Sequence, residues 1–341
     1  MSGLILSIES SCDDSSIALT QIDSKLLIFH QKISQEKQHS AFGGVVPELA
    51  SRLHAESLPL ILEKVKPYFK EVKAIAITTE PGLNVALMEG LIMAKTLAFS
   101  LNIPIIGVNH LKGHLYSLFL ESEAVFPLGV LLVSGGHTLL LEAQGFHDIS
   151  ICAQSLDDSF GESFDKVAKM LLLGYPGGPI VESYAKQGKS DIYNFPIPLR
   201  SKKQYAFSFS GLKNAVRMQI EREKESKGIL SEEFKTNLCA SFQKSAITHL
   251  MQKCKIFFEQ NRSNSHQWKH FGVVGGASAN LALREQIEKM CRDYGVTLLL
   301  SPLEFCSDNA AMIGRVAIES YQLEEFDTIY SLQTRPRIEA F

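Results

Sequence analysis

Residues 4–23 read LILSIESSCDDSSIALTQID: an apolar run, a small polar turn, and a second apolar run. That is the pattern of a strand, a turn and an antiparallel strand. The plan returns at residues 128–145, LGVLLVSGGHTLLLEAQG, with more glycine in the turn. Two such hairpins, each opening a long stretch of chain, imply an internal duplication with one small-residue turn per half. Between them PELASRLHAESLPLILEKV, from Pro47, reads as a helix with proline at a first helical position. The strand VKAIAITTEPG, a helix after Pro81-Gly82, the strand IPIIGV and a helix holding His110 and His114 follow. After the second hairpin, SFDKVAKMLLLG reads as a helix ended by Gly174, and EEFKTNLCASFQKSAITHLMQKCKIFFEQ as a long amphipathic helix. HFGVVGGASAN is strand and glycine turn, LALREQIEKMCRDYG a helix capped by Gly295, VTLLLSP a strand, and DNAAMIGRVAIESYQ a final helix. Strands alternating with helices define an α/β chain with a largely parallel sheet covered on both faces. The main boundary falls at residues 122–127, giving domains 1–124 and 125–307. A C-terminal helix within 308–330 packs back on the first domain, ahead of a tail at 331–341. Residues 183–235 carry mixed patterns that assign no element.

The chain has 341 residues, 45% hydrophobic and 21% charged, enough to bury two cores. Its start lacks the basic n-region of a signal peptide. The longest apolar stretches are broken by polar or glycine residues before the ~18 residues of a membrane span, so the expected location is cytoplasmic, with no membrane partner. Six cysteines lie far apart without a Cys-x-x-Cys pair, which argues against a disulfide framework and a thiolate zinc site. A net charge of −3 exerts no global pull toward nucleic acid. One segment is locally basic: Arg200, Lys202, Lys203, Lys213 and Arg217, with Tyr205, Phe207 and Phe209 between them. That mixture suits a phosphate backbone with stacked bases; the competing reading is a solvated basic loop with its aromatics in the core.

GVNHLKGHLYS sets His110 and His114 four residues apart, one helical face on which two imidazoles can reach one metal ion. The residue after the first histidine is Leu111, so the glutamate base of the zinc-protease motif is missing. Asp308, read as the N-cap of the last helix, offers a third ligand, although spacing alone does not bring it near the histidines. Two histidines and a carboxylate with open positions suit Fe²⁺ or Zn²⁺. Three small-residue turns after apolar strands, residues 10–16, 134–138 and 275–280, let backbone amides approach an anion. Asp13 and Asp14 stand in the first. Asp165 and Glu182 flank the turn PGGP, where acids can accept hydrogen bonds from ribose hydroxyls.

Taken in order, IESSCDDSS, GGVVPELASRLH, NHLKGHLYS, LLVSGGHT, GESFDKVAKMLLLGYPGGP, FSFSGLK, GGASAN, CSDNAAMI and RPR resemble the TsaD family, formerly Gcp. The resemblance runs from Ile5 to Arg337. It implies an actin-like ATPase fold of the sugar kinase and actin superfamily, two duplicated α/β domains around a nucleotide cleft. It further implies a tRNA N6-adenosine threonylcarbamoyltransferase. Such an enzyme moves the threonylcarbamoyl group from threonylcarbamoyl-AMP to the exocyclic amine of adenosine 37 in tRNAs reading codons that begin with A, and releases AMP. Carried over by motif, His110, His114 and Asp308 are the metal ligands, for one divalent ion per subunit, Fe²⁺ favoured and Zn²⁺ possible. Leu132, Val133, Ser134, Gly135 and Gly136 resemble the substrate-binding loop, and Asp165, Gly178, Glu182 and Asn280 the nucleoside contacts. Asp13 is a candidate for removing the amine proton. The implied partners are tRNA, a TsaB-like inactive paralogue and a TsaE-like ATPase, with Arg335 and Arg337 joining the basic segment on tRNA.

This sequence departs from the family in having Asn109 where many relatives have histidine, and Asp14 where glutamate is common. The rival reading is an ATP-dependent small-molecule kinase of the same fold; it fits less well because Mg²⁺ prefers oxygen ligands to a histidine pair. A metalloprotease is disfavoured by Leu111.

Overall fold

The computed structural model describes residues 3–200, 204–265 and 267–337. The chain forms two units, one of Met1–Ala124 with Ser301–Phe341, the other of Val125–Leu300.

In the first unit, β1 (Leu4–Glu9), β2 (Asp14–Gln21) and β3 (Leu27–Ser34) form an antiparallel meander. The short α1 (Glu36–Ser40) and the long α2 (Pro47–Val65) follow. Next come β4 (Val72–Glu80), α3 (Asn84–Leu101), β5 (Ile105–Asn109) and α4 (His110–Tyr116). β4 lies parallel beside β1, and β5 parallel beside β4, giving the order β3-β2-β1-β4-β5. Every residue of β1 is buried, as a central strand covered on both faces must be.

The second unit repeats the plan. β6 (Leu128–Val133), β7 (Thr138–Ala143) and β8 (Ile149–Gln154) form the meander. α5 (Phe160–Met170), α6 (Gly177–Ala185), α7 (Ser210–Lys227) and α8 (Glu232–Ser263) precede β9 (His270–Val274), α9 (Leu281–Tyr294) and β10 (Thr297–Leu300). β9 is parallel to β6 and β10 to β9, so the order β8-β7-β6-β9-β10 matches the first sheet strand for strand. Three antiparallel strands followed by two parallel ones, twice over, is the actin-like ATPase plan in duplicate. α10 (Ala310–Gln322) then packs on β1 and β2 of the first unit.

The structure differs from the sequence reading at four points. The second unit ends at Leu300 rather than residue 307: the Ser301 hydroxyl meets that of Ser117, and Ser307 is held by Lys32 at 2.8 Å, both within the first unit. The segment read as a tail is likewise tied down through Arg335 N–H to Thr79 O at 2.9 Å and Thr334 Oγ1 to Asn84 Oδ1 at 2.8 Å. Residues 338–341 lie outside the described residues. α5 ends at Met170, four residues before Gly174, because Leu172 already takes a positive φ of 57°. Finally, α3 is long and apolar enough by length and composition to cross a membrane, contrary to the expectation that no stretch would be. It buries Ala86, Leu87, Gly90, Leu91, Ala94, Leu97 and Ala98, packing on β4 and α2.

Candidate active site

β5 runs straight into α4, so His110 is the first helical residue and His114 lies one turn on. Asn109 caps this short helix, its Oδ1 accepting from Leu111 N at 2.9 Å and Lys112 N at 3.2 Å. That cap fixes the ring-bearing turn. α10 begins one residue later than expected: Asn309, not Asp308, is its N-cap, accepting from Met312 N at 3.0 Å and donating to Ser307 O at 2.8 Å. The Asp308 side chain is thereby released from capping and turns to the histidines.

Asp308 Oδ1 lies 3.4 Å from His110 Nε2 and 3.2 Å from His114 Nε2, and the three potential ligand atoms lie within 4.8 Å of one another. The rings meet edge to face, centroids 4.6 Å apart. His114 is fully buried and, among the described residues, neither ring nitrogen meets hydrogen-bonding geometry, although Asp308 Oδ1 lies close to Nε2. Orphaned imidazole nitrogens in a dry site are costly unless something else takes their lone pairs. Two imidazoles and a carboxylate with their ligand atoms this close fit a divalent ion with open positions. Burial lowers His114, and charge on His110 adds to this. For His110, burial works downward, but the carboxylates of Asp308 and Glu9 outweigh it and hold the ring well above its ordinary value. Asp308 is correspondingly held well below the carboxylate range by the two histidines, against its own burial. Leu111 is fully buried in the core, so the residue after His110 supplies no base.

Behind His110 is a residue to which the sequence reading gave no role. Glu9, the last residue of β1, is fully buried and sets Oε2 3.0 Å from His110 Nδ1. An acid ending a mostly apolar, wholly buried strand was the available signal. Asp13 stands in the turn that follows and Asp14 opens β2. Burial, then Asp308, raises Asp13. Asp14 is pushed up to about 7 by burial in spite of Lys32, whose Nζ donates to it at 2.9 Å and also holds Ser307. Lys32 thus ties the first turn to the residue before Asp308.

The second unit carries the loop and nucleoside residues. Leu132 and Val133 are buried strand residues of β6, whereas Gly135 and Gly136 are exposed beyond its end. Ser134 Oγ accepts from Gly136 N at 3.3 Å and His137 N at 3.0 Å, which shapes the turn. The start of α5 closes on it: Ser159 Oγ donates to Gly135 O at 2.7 Å, and Gly161 N to Ser134 O at 3.2 Å. Asp165 Oδ1 accepts from Gly177 N at 2.7 Å, locating the start of α6, on which Gly178 faces open space. Glu182 Oε1 accepts from Leu281 N at 3.0 Å, beside Asn280, which caps α9. Asn280 Nδ2 in turn donates to Gln243 Oε1 of α8 at 2.9 Å, a support the sequence did not suggest. The fold thus links Asp165 to α6 and Glu182 to the start of α9, around the C-terminal ends of β6 and β9, where open α/β sheets take ligands.

The basic segment answers differently. Phe207 and Phe209 are fully buried around His249, at centroid distances of 5.9 and 5.4 Å, so they are core residues and not a stacking platform. Lys213 is paired with Asp158 and Arg217 with Glu221, while Arg200 is exposed. Lys202 and Lys203 lie outside the described residues. Arg335 pairs loosely with Glu80 at 3.6 Å, and Arg337 is exposed.

Comparison with known proteins adds the family. A threonylcarbamoyltransferase from Wolinella succinogenes is 60% identical over 334 residues, covering 98% of both chains. One from Sulfurimonas denitrificans is 57% identical, covering 98% of this chain and 99% of its own. The crystal structure of full-length HypF superposes with a TM-score of 0.61 at 14% identity, covering 95% of this chain and 47% of that longer one, which shows a shared fold alone. The pattern of TsaD, tRNA N6-adenosine threonylcarbamoyltransferase, matches residues 27–315. The chain belongs to the TsaD family.

Proposed function

We propose that this chain transfers the threonylcarbamoyl group from threonylcarbamoyl-AMP to the exocyclic amine of adenosine 37 in tRNAs reading codons that begin with A. The amine nitrogen bonds to the carbamoyl carbon, the bond from that carbon to the phosphate oxygen breaks, AMP leaves, and the amine gives up a proton. The observation that carries this reading is the convergence of His110, His114 and Asp308 within 4.8 Å, in a chain of this family.

His110 and His114 offer Nε2 lone pairs and Asp308 offers Oδ1, a set that would hold one divalent ion, Fe²⁺ favoured and Zn²⁺ possible. When bound, the ion supplies a Lewis acid for phosphate or carbamoyl oxygens. The chain's own groups bind and orient. Backbone amides of the Ser134–Gly136 turn are assigned the developing negative charge, with Leu132 and Val133 contributing backbone only. Asp165, Gly178, Glu182 and Asn280 are assigned the nucleoside. Asp13, whose carboxyl is raised above the usual carboxylate value by burial and then by Asp308, is the candidate acceptor of the amine proton; full transfer by Asp13→Asn would exclude it.

For tRNA, exposed Arg200, Arg217 and Arg337 are the phosphate contacts. If Arg200→Ala changes neither tRNA affinity nor its salt slope, that assignment is lost. A TsaB-like paralogue and a TsaE-like ATPase are the proposed companions, and the cytoplasm the proposed location. The direct experiment supplies purified protein with threonylcarbamoyl-AMP made from radiolabelled threonine, tRNA and companion subunits, and counts label in adenosine 37. Label that the His110→Ala, His114→Ala double variant fails to incorporate supports the reading; no label with companions present sinks it.

A further inference from the structure

We propose that Glu9 is the positioning residue of the metal centre: by accepting the Nδ1–H of His110 it leaves Nε2, the nitrogen facing Asp308, as the one that would hold the ion when a metal is bound. This rests on the metal reading above and adds a role for a residue outside the ligand set.

The geometry leaves little freedom. Glu9 is fully buried, and its two oxygens accept three bonds from three parts of the chain. Oε1 takes Ser11 N–H at 2.6 Å. Oε2 takes the Thr78 hydroxyl at 2.6 Å and the His110 Nδ1 proton at 3.0 Å. A carboxylate only accepts, so the ring nitrogen facing it must donate. Ser11 Oγ, 3.2 Å from the same nitrogen, can then accept as well. Bonds from β4 (Thr78) and from the turn after β1 (Ser11) hold the carboxylate, and the carboxylate holds the ring. An outer carboxylate of this kind also raises the basicity of a ligating imidazole. Among the described residues His114 has no counterpart, since no hydrogen-bond partner there meets its buried Nδ1, so the effect is confined to one ligand.

Glu9→Gln tests this because the amide cannot satisfy all three donors. With its oxygen toward His110, its NH₂ meets Ser11 N–H, donor against donor. With its oxygen toward Ser11, its NH₂ faces His110 Nδ1, favours the Nε2–H tautomer and removes the lone pair a metal needs.

The experiment is Zn²⁺ affinity by competition with a chromophoric chelator, for wild type, Glu9→Gln, Thr78→Val and His110→Ala, with melting of the metal-free proteins to check folding. The expected result is a loss of roughly 10- to 100-fold for Glu9→Gln, with a smaller loss for Thr78→Val, which disturbs the carboxylate but leaves the ring its acceptor. Equal losses for both would reduce Glu9 to packing and overturn the proposal, as would wild-type affinity in Glu9→Gln. If Glu9→Gln fails to fold, long-range ¹H–¹⁵N spectra of zinc-loaded wild type decide: a proton on His110 Nδ1 supports the role, and zinc on Nδ1 overturns it. Unchanged affinity in His110→Ala would instead remove the metal centre itself, a result distinct from any failure of Glu9.

Discussion

Gly161, the second residue of α5, touches the turn assigned to substrate. A Cβ there would stand 2.5 Å from Ser134 O, 2.9 Å from its carbonyl carbon and 3.0 Å from Gly135 N, where real Cβ atoms keep at least 3.0 Å. Gly161→Ala must therefore open the α5–turn contact by at least about 0.5 Å. The obstacle is backbone, and it is held by Gly161 N–H at 3.2 Å and Ser159 Oγ at 3.2 Å, so it cannot rotate aside like a side chain. Overpacking of this kind costs ~1–3 kcal/mol, offset in part by up to ~1 kcal/mol of better helix propensity. Stability therefore moves little, while activity moves more. A misplacement near 1 Å can cost on the order of 100-fold, so half of that predicts a loss on the order of tenfold in kcat/KM for transfer. Gly145→Ala, where a Cβ meets nothing within 4 Å, is the neutral control. Steady-state transfer with threonylcarbamoyl-AMP as the varied substrate reads the loss, and Trp268 fluorescence reads the stability of this unit. Gly161→Ala with wild-type kcat/KM would refute the assignment of the Ser134–Gly136 turn to substrate.

Three further outcomes follow from the same geometry. Asn109→Ala removes the acceptor of Leu111 N–H and Lys112 N–H, costs ~1 kcal/mol and raises hydrogen exchange at those two amides; unchanged exchange would dismiss the cap. Burial, and then Lys253, pushes His249 down to about 4, so between the unfolded value of ~6.5 and that pH the unfolded chain takes up a proton the folded chain refuses. The stability this confers is complete above pH ~6.5 and falls by about 3 kcal/mol as pH drops through that window; denaturation followed at Trp268 should show the slope in wild type and lose it in His249→Phe. Chelator dialysis should abolish transfer and added Fe²⁺ restore it, and activity that survives complete removal of divalent metal would contradict the metal assignment.

The two hairpins were legible because alternation around a small polar turn is a local signal. Their third strands were not: β3 (LIFHQKIS) and β8 (ISICAQ) are partly buried and mix polar with apolar residues, so no clean period marks them. His110 and His114 announced themselves at helical spacing, but Asp308 is brought to them by α10 returning to the first sheet, a tertiary fact. The sequence placed the cap on Asp308 because aspartate and asparagine are near-equal N-caps; the extended Asn309 backbone, φ −160° and ψ 154°, decides it. The basic segment misled for a different reason. Composition shows aromatics among cations, but Phe207 and Phe209 fill the core and Asp158 takes Lys213.

The most direct test counts both products in one tube: AMP released from threonylcarbamoyl-AMP, and threonylcarbamoyladenosine in the digested tRNA by mass spectrometry, for wild type and Asp308→Ala with companion subunits present. The account predicts one AMP for each modified adenosine 37 in wild type and neither product above background in Asp308→Ala. Modification at the wild-type rate in Asp308→Ala, or AMP released by wild type without modified tRNA, would contradict it.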